Sequence, residues 1–179
     1  MSKSVYKYVK GQLYCEGVNL SDLEPSLTPC YVYSKAQIIA NIKAYQHAFS
    51  SISSLIGFSM KANYTPEILK IMREQGLSII TGSGFEIQLA LKCGFEGKQI
   101  FFNGNGKLVW EIELAIEAGC YLNVDSKFDA RNICCVAEKK DKVVQVLLSY
   151  LFFSILCSLK CSGFVEAKSI ILCKSPSLP

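Results

Sequence analysis

No dense block of lysine and arginine occurs in the 179 residues, and the net charge of +4 is spread along the chain. The electrostatic footprint of a nucleic-acid binder is therefore missing. Histidine is nearly absent: His47 stands alone. The nine cysteines, at 15, 30, 93, 120, 134, 135, 157, 161 and 173, form no CxxC pair, so the ligand spacing of a structural zinc site is lacking. No secretory signal opens the chain, which removes the usual reason to pair cysteines as disulfides. They read as reduced, mostly buried small hydrophobes. A complete targeting segment is not visible either. Lys3, Lys7 and Lys10 precede the first acid, Glu16, without any arginine, which reads as an N-terminal strand region with solvated lysines.

What is present is apolar patterning. Half of the residues are hydrophobic and 19% are charged, the composition of a globular protein. Ser34 is a good N-cap for a helix carrying Ile38, Ile39, Ile42, Tyr45 and Phe49 at helical spacing. From there strands and helices alternate. Strands are predicted at 55–60, 77–81, 99–102, 121–124 and 143–148. Between them Thr65 with Pro66 starts one helix, Gly94 and Gly119 end two others, and a last one covers 127–139. The strand starts repeat every 22 residues, the signature of a parallel sheet of βα units, with a (β/α) barrel favoured over a doubly wound sheet. A complete barrel needs eight strands and about 250 residues, so the expectation is a partial barrel of about five βα units. The division is 1–33, an N-terminal strand region; 34–148, the partial barrel; and 149–179, an atypical tail.

In such a barrel the working face lies at the C-terminal ends of the strands. The residues there read KAN at 61–63, TGSGFE at 81–86, NGNGK at 103–107 and VDS at 124–126. Lys61 follows a buried strand, where partial desolvation would make it a competent amine nucleophile. Position alone favours instead a lysine whose stem packs while its amine reaches water. Gly82, Ser83, Gly84 and Glu86 could present N–H groups and a carboxylate to a ligand, or form a tight turn with an acid at a helix N-terminus. Asn103, Asn105 and Lys107 suit a glycine-assisted turn more than direct ligand contact, and Asp125 with Ser126 a helix cap.

The ordered strings TPCYVYSKAQI, GFSMKANYTPEIL, GLSIITGSGFEIQLAL, IFFNGNGK and NVDSKFD resemble the barrel-fold decarboxylases that act on ornithine, arginine and diaminopimelate. The likeness is greatest to the diaminopimelate branch, particularly its plant type, and covers about residues 26–148. The resemblance implies a pyridoxal 5'-phosphate cofactor held covalently by Lys61, with Ser83, Gly84 and Glu86 near it. It also implies meso-2,6-diaminopimelate as the amino-acid substrate, L-lysine as product, a homodimer, and a plastid location in a plant source or a cytoplasmic one otherwise. Alanine racemases share the barrel, but resemble a K-A-x-A-Y-G-H context that KANYTPEIL lacks.

Other family parts have no counterpart here: a histidine stacked on the cofactor, a glycine-rich phosphate loop, an acid for the pyridine nitrogen, a cysteine contributed across the dimer, and the C-terminal β-domain. The expectation is an inactive, shortened form, or a non-catalytic chain that associates with a full-length partner. Val143 to Leu159 is a run of 17 uncharged residues. As a helix it would reach about 25 Å against about 30 Å of hydrocarbon, so a membrane span is not expected, and the tail reads as a non-native ending.

Overall fold

The computed structural model describes residues 5–23, 25–148 and 165–167. The chain forms two compact units, Met1–Ser54 and Leu55–Pro179.

The first unit opens with an antiparallel meander of β1 (Tyr6–Val9), β2 (Gln12–Cys15) and β3 (Val18–Asn19). Two-residue loops join the strands. Lys10 and Gly11, then Glu16 and Gly17, all have positive φ, the left-handed pair that matches strand twist in a tight hairpin. Helix α1 (Lys35–Ala48) follows. As expected, Ser34 caps it, its Oγ accepting from Gln37 N at 2.9 Å. Glu16 ties the meander to this cap: its carboxylate accepts from Ser34 Oγ and, at 2.7 Å, from Ala36 N. Both hydrogen bonds hold the Glu16 carboxyl below its ordinary range, the one from Ser34 contributing most.

The second unit is a parallel sheet in sequence order: β4 (Gly57–Ser59), β5 (Ser78–Thr81), β6 (Ile100–Phe102), β7 (Tyr121–Val124), β8 (Val144–Leu148) and β9 (Val165–Ala167). Helices α2 (Pro66–Glu74), α3 (Gly84–Lys92), α4 (Val109–Ala118) and α5 (Lys127–Lys139) connect the first five strands. Every strand and helix expected between residues 34 and 148 is present, displaced by no more than a few residues. Thr65 occupies the cap position of α2 but makes no side-chain capping bond; Asn63 Oδ1 instead accepts from Thr65 N at 2.9 Å.

The expected end of the strand pattern at 148 needs correction. Strand β9 begins one further 22-residue repeat beyond the start expected at 143, and it pairs in parallel with β8. The rest of the tail, including the uncharged run from 149 onward, lies outside the described residues. No helix among the described residues is long and apolar enough to cross a membrane.

Register assigns the two faces of the sheet. The lateral row Thr81, Phe102, Leu122, Val146 follows from the strand pairing, and all four residues are buried. Together with Ile79 and Ile100, both fully buried, these side chains form the core beneath the helices, which supplies most of the unit's stability. The opposite face carries Ile80, Phe101 and Tyr121 in one row and Asn103, Asn123 and Leu147 near the strand ends. Phe101 stacks on Tyr121, ring centroids 4.8 Å apart.

Candidate functional site

The C-terminal ends of β4 to β7 form one rim because parallel strands joined by helices all point the same way. At its β4 corner the chain leaves the strand through a single 3₁₀ turn, Met60–Ala62. Met60 is fully buried and anchors that turn. Lys61, the next residue, is exposed. The desolvation expected of a strand-end lysine is therefore not found. The turn lifts its side chain off an edge strand, and no described residue makes a hydrogen bond or ion pair with its amine. Lys61 is a free primary amine on the rim.

The β5 corner is a tight turn. Ser83 Oγ caps α3, accepting from Glu86 N at 3.3 Å, while Glu86 Oε2 accepts from Gly82 N at 2.6 Å. The glutamate thus closes the turn and faces the positive end of the helix dipole. Gly84 N donates to Glu111 Oε1 at 2.6 Å, and Leu108 N donates to Glu111 Oε2 at 2.9 Å. Glu111, 8% exposed, thereby joins the N-termini of α3 and α4. A Cβ on Gly84 would stand 2.5 Å from the Trp110 ring, so the absence of a side chain there lets the two helix starts meet.

At the β6 corner the turn approaches β5 closely: a Cβ on Gly104 would lie 2.4 Å from Gly82 O. Lys107 does not sit in a solvated turn. Its side chain is fully buried, with Nζ 2.7 Å from Asp129 Oδ2, 3.4 Å from Asp125 Oδ2 and 5.5 Å from the Phe102 ring centroid. Asp129 also accepts from Asp125 N at 3.2 Å, and Ser126 caps α5 as expected, accepting from Asp129 N at 3.0 Å. Asn123 Nδ2 donates to Asp125 Oδ1 at 2.6 Å and to Asn103 Oδ1 at 2.7 Å. The polar network therefore runs unbroken from Lys107 to Asn103 across two strand ends.

Asn123, Asp129 and Glu111 were not foreseen from the sequence. Glu111 and Asp129 are each the third residue of their helices, α4 and α5, where an acid favours the helix N-terminus, but their long-range partners depend on neighbouring units being packed. Cys15, Cys93 and Cys120 are buried as expected, whereas Cys30 and Cys135 are exposed. Burial pushes the Cys120 thiol up to about 12, which keeps it protonated and unreactive.

Residues 35–152 match the family model described as the pyridoxal-dependent decarboxylase, pyridoxal binding domain. A protein of Oryza sativa subsp. japonica named as a probable chloroplastic diaminopimelate decarboxylase is 42% identical over 140 residues, 77% of this chain and 29% of its own length. A solved diaminopimelate decarboxylase of Helicobacter pylori, complexed with L-lysine, is 32% identical with a TM-score of 0.65, covering 67% of this chain and 31% of that one. A diaminopimelate decarboxylase structure from M. jannaschii gives a TM-score of 0.84 at 22% identity, over 93% of this chain and 46% of that one, a likeness of fold. The chain spans about a third of the length of the curated relatives it matches.

Proposed function

This chain belongs to the family of pyridoxal-dependent decarboxylases, and from that membership we propose that Lys61 holds the cofactor in an enzyme converting meso-2,6-diaminopimelate to L-lysine. The observation that carries the proposal is the Lys61 amine itself: exposed on the rim, and without a hydrogen bond or ion pair to any described residue.

The donor set supports a fit to pyridoxal phosphate at its aldehyde end. A carbonyl carbon takes a primary amine that is not already committed, and Lys61 Nζ meets that condition. Ser83 Oγ–H and Glu86 Oε1 have no partner among the described residues and remain available as a donor and an acceptor. Gly84 contributes clearance, since its N–H is already given to Glu111. When bound, the cofactor supplies an electron sink for the pair left as the α-carboxylate departs as carbon dioxide. The chain's own residues then bind and orient. Lys61 fixes the cofactor covalently through Nζ, Ser83 and Glu86 flank it, and the Glu86 bond to Gly82 N keeps the β5 turn in place.

The substrate assignment is supported by the relatives named for diaminopimelate, the plastid location in a plant source by the rice relative's name, and a homodimer by the resemblance to the family. Incubation of the chain with pyridoxal phosphate and meso-2,6-diaminopimelate, with ornithine and arginine in parallel, tests the substrate. Lysine formation that is lost in Lys61→Ala would overturn the expectation of an inactive, shortened form and support the substrate; turnover of ornithine or arginine in its place would reassign the substrate.

A second reading is favoured by an exposed apolar collar at the helix N-termini, where Tyr64, Phe85, Leu108 and Phe128 are each more than half exposed. Collars of this kind mark association surfaces. On that reading the chain is non-catalytic and binds a full-length partner. It then makes no lysine alone but co-purifies with a complete decarboxylase and changes its activity.

A further inference from the structure

A carboxylate can only accept hydrogen bonds, whereas a side-chain amide offers two N–H donors on one side and a carbonyl on the other. That difference fixes the direction of the contacts across the ends of β6 and β7. Asp125, held by Lys107 at 3.4 Å, accepts through Oδ1 from Asn123 Nδ2 at 2.6 Å. Asn123 must therefore turn its NH2 group toward Asp125, and the same nitrogen gives its second hydrogen to Asn103 Oδ1 at 2.7 Å. With its carbonyl engaged, Asn103 is left with its own NH2 pointing out of the network, and no described residue accepts from it. Reversing either amide would set like groups against each other. The chain thus has a buried end, with Lys107 and Asn123 at 5% and 7% exposure, and a free end at the exposed Asn103.

We propose that Asn103 Nδ2 donates a hydrogen bond to an anionic oxygen of the ligand held at Lys61, and that Asn123 is the positioning residue that sets its direction. The inference rests on the assignment of Lys61 as the cofactor lysine. Asn103 and Lys61 follow β6 and β4, which only β5 separates, a spacing of about 10 Å at the usual interstrand distance. A ring-sized ligand on the end of a lysine side chain spans such a gap. The close approach of Gly104 to Gly82 keeps the intervening turns together. A donor fixed in direction before the ligand arrives loses less freedom on binding than a freely rotating amide. The accepting oxygen is either the ring oxygen or the phosphate ester, both anionic.

The full chain is incubated with graded pyridoxal 5'-phosphate or with pyridoxal, reduced with borohydride, and scored by peptide mass for modified Lys61. Asn103→Ala is expected to raise the half-saturating concentration about tenfold, the effect of losing one hydrogen bond to a charged group. The increase with both ligands assigns the ring oxygen, and an increase with pyridoxal 5'-phosphate alone assigns the phosphate. Asn123→Ala is expected to reproduce the increase when Asn103 is present and to add less than about twofold in Asn103→Ala, because residues acting through one another are not additive. Asn123→Ser serves the same comparison should Asn123→Ala fail to fold. Half-saturation within about twofold of the parent in Asn103→Ala overturns the donor role. An equal effect of the Asn123 substitution in both backgrounds overturns the positioning role. Absence of Lys61 modification in the parent chain overturns the cofactor assignment and this inference with it, whereas Lys61 modification that ignores Asn103 overturns the inference alone.

Discussion

Replacing Lys107 by methionine keeps the length of the side chain and removes its charge. In the parent chain Lys107 Nζ is fully buried between Asp129 Oδ2 at 2.7 Å and Asp125 Oδ2 at 3.4 Å. Asp129 has only 8% of its side chain exposed, so the substitution leaves its carboxylate in a confined site with the Asp125 N–H as its remaining partner. Breaking a buried ion pair from one side costs about 3 to 5 kcal/mol. Here the hydrogen bond from Asp125 N to the carboxylate remains, which sets the expectation near the lower end, about 3 kcal/mol. For a chain of this size each kcal/mol moves the melting temperature by about 2 to 4 °C, so Lys107→Met should melt roughly 6 to 12 °C below the parent. The pair Lys107→Met with Asp129→Asn removes the stranded charge and should recover part of that loss. Circular dichroism melts of the three proteins measure both effects. A Lys107→Met melt within about 2 °C of the parent, or a double variant less stable than the single, would refute the claim that this ion pair holds the strand ends together.

Other consequences follow from single contacts. Gly104→Ala places a methyl group 2.4 Å from Gly82 O, and should destabilise the second unit by about 1 to 3 kcal/mol in urea denaturation; an unchanged midpoint would show that the two turns separate freely. The Glu16 carboxyl is lowered first by Ser34 Oγ and then by Ala36 N. Its stabilising contribution is thus whole above the ordinary glutamate value of about 4.3 and is lost as pH falls through the folded value. Carboxyl NMR titration should show the Glu16 midpoint rising in Ser34→Ala, and an unmoved midpoint would contradict the cap assignment. Alkylation of the native chain should reach Cys30 and Cys135 well before Cys120, whose thiol is raised to about 12 by burial; equal rates by peptide mass would mean that the core around α4 and β7 opens readily.

The strand and helix pattern was readable because each βα unit carries its own punctuation. Apolar runs mark the strands, and Gly76, Gly94 and Gly119, all at positive φ, end the helices that follow. The continuation of the sheet in β9 was obscured because the apolar tail carries no clean period of its own, whereas the backbone pairing of Val165–Ala167 with β8 depends on a neighbour. The rim was found as a set of polar strand ends, but its wiring was not. Local pattern explains Ser83, Ser126 and Glu86, which act within one turn of their own helix. Gly84 with Glu111, 27 residues apart, and Asn103 with Asn123, 20 apart, meet only once neighbouring strands are paired. The exposure of Lys61 likewise depends on a 3₁₀ turn beside an edge strand, a detail that apolar alternation does not encode.

The proposed anchoring of the cofactor by Lys61 is open to borohydride reduction of the chain with pyridoxal 5'-phosphate followed by peptide mapping. A phosphopyridoxyl group should be concentrated on Lys61 and absent from Lys61→Ala, with the melting temperature unchanged because the side chain is exposed. Modification shared evenly with surface lysines such as Lys35 and Lys98, or undiminished in Lys61→Ala, would contradict it.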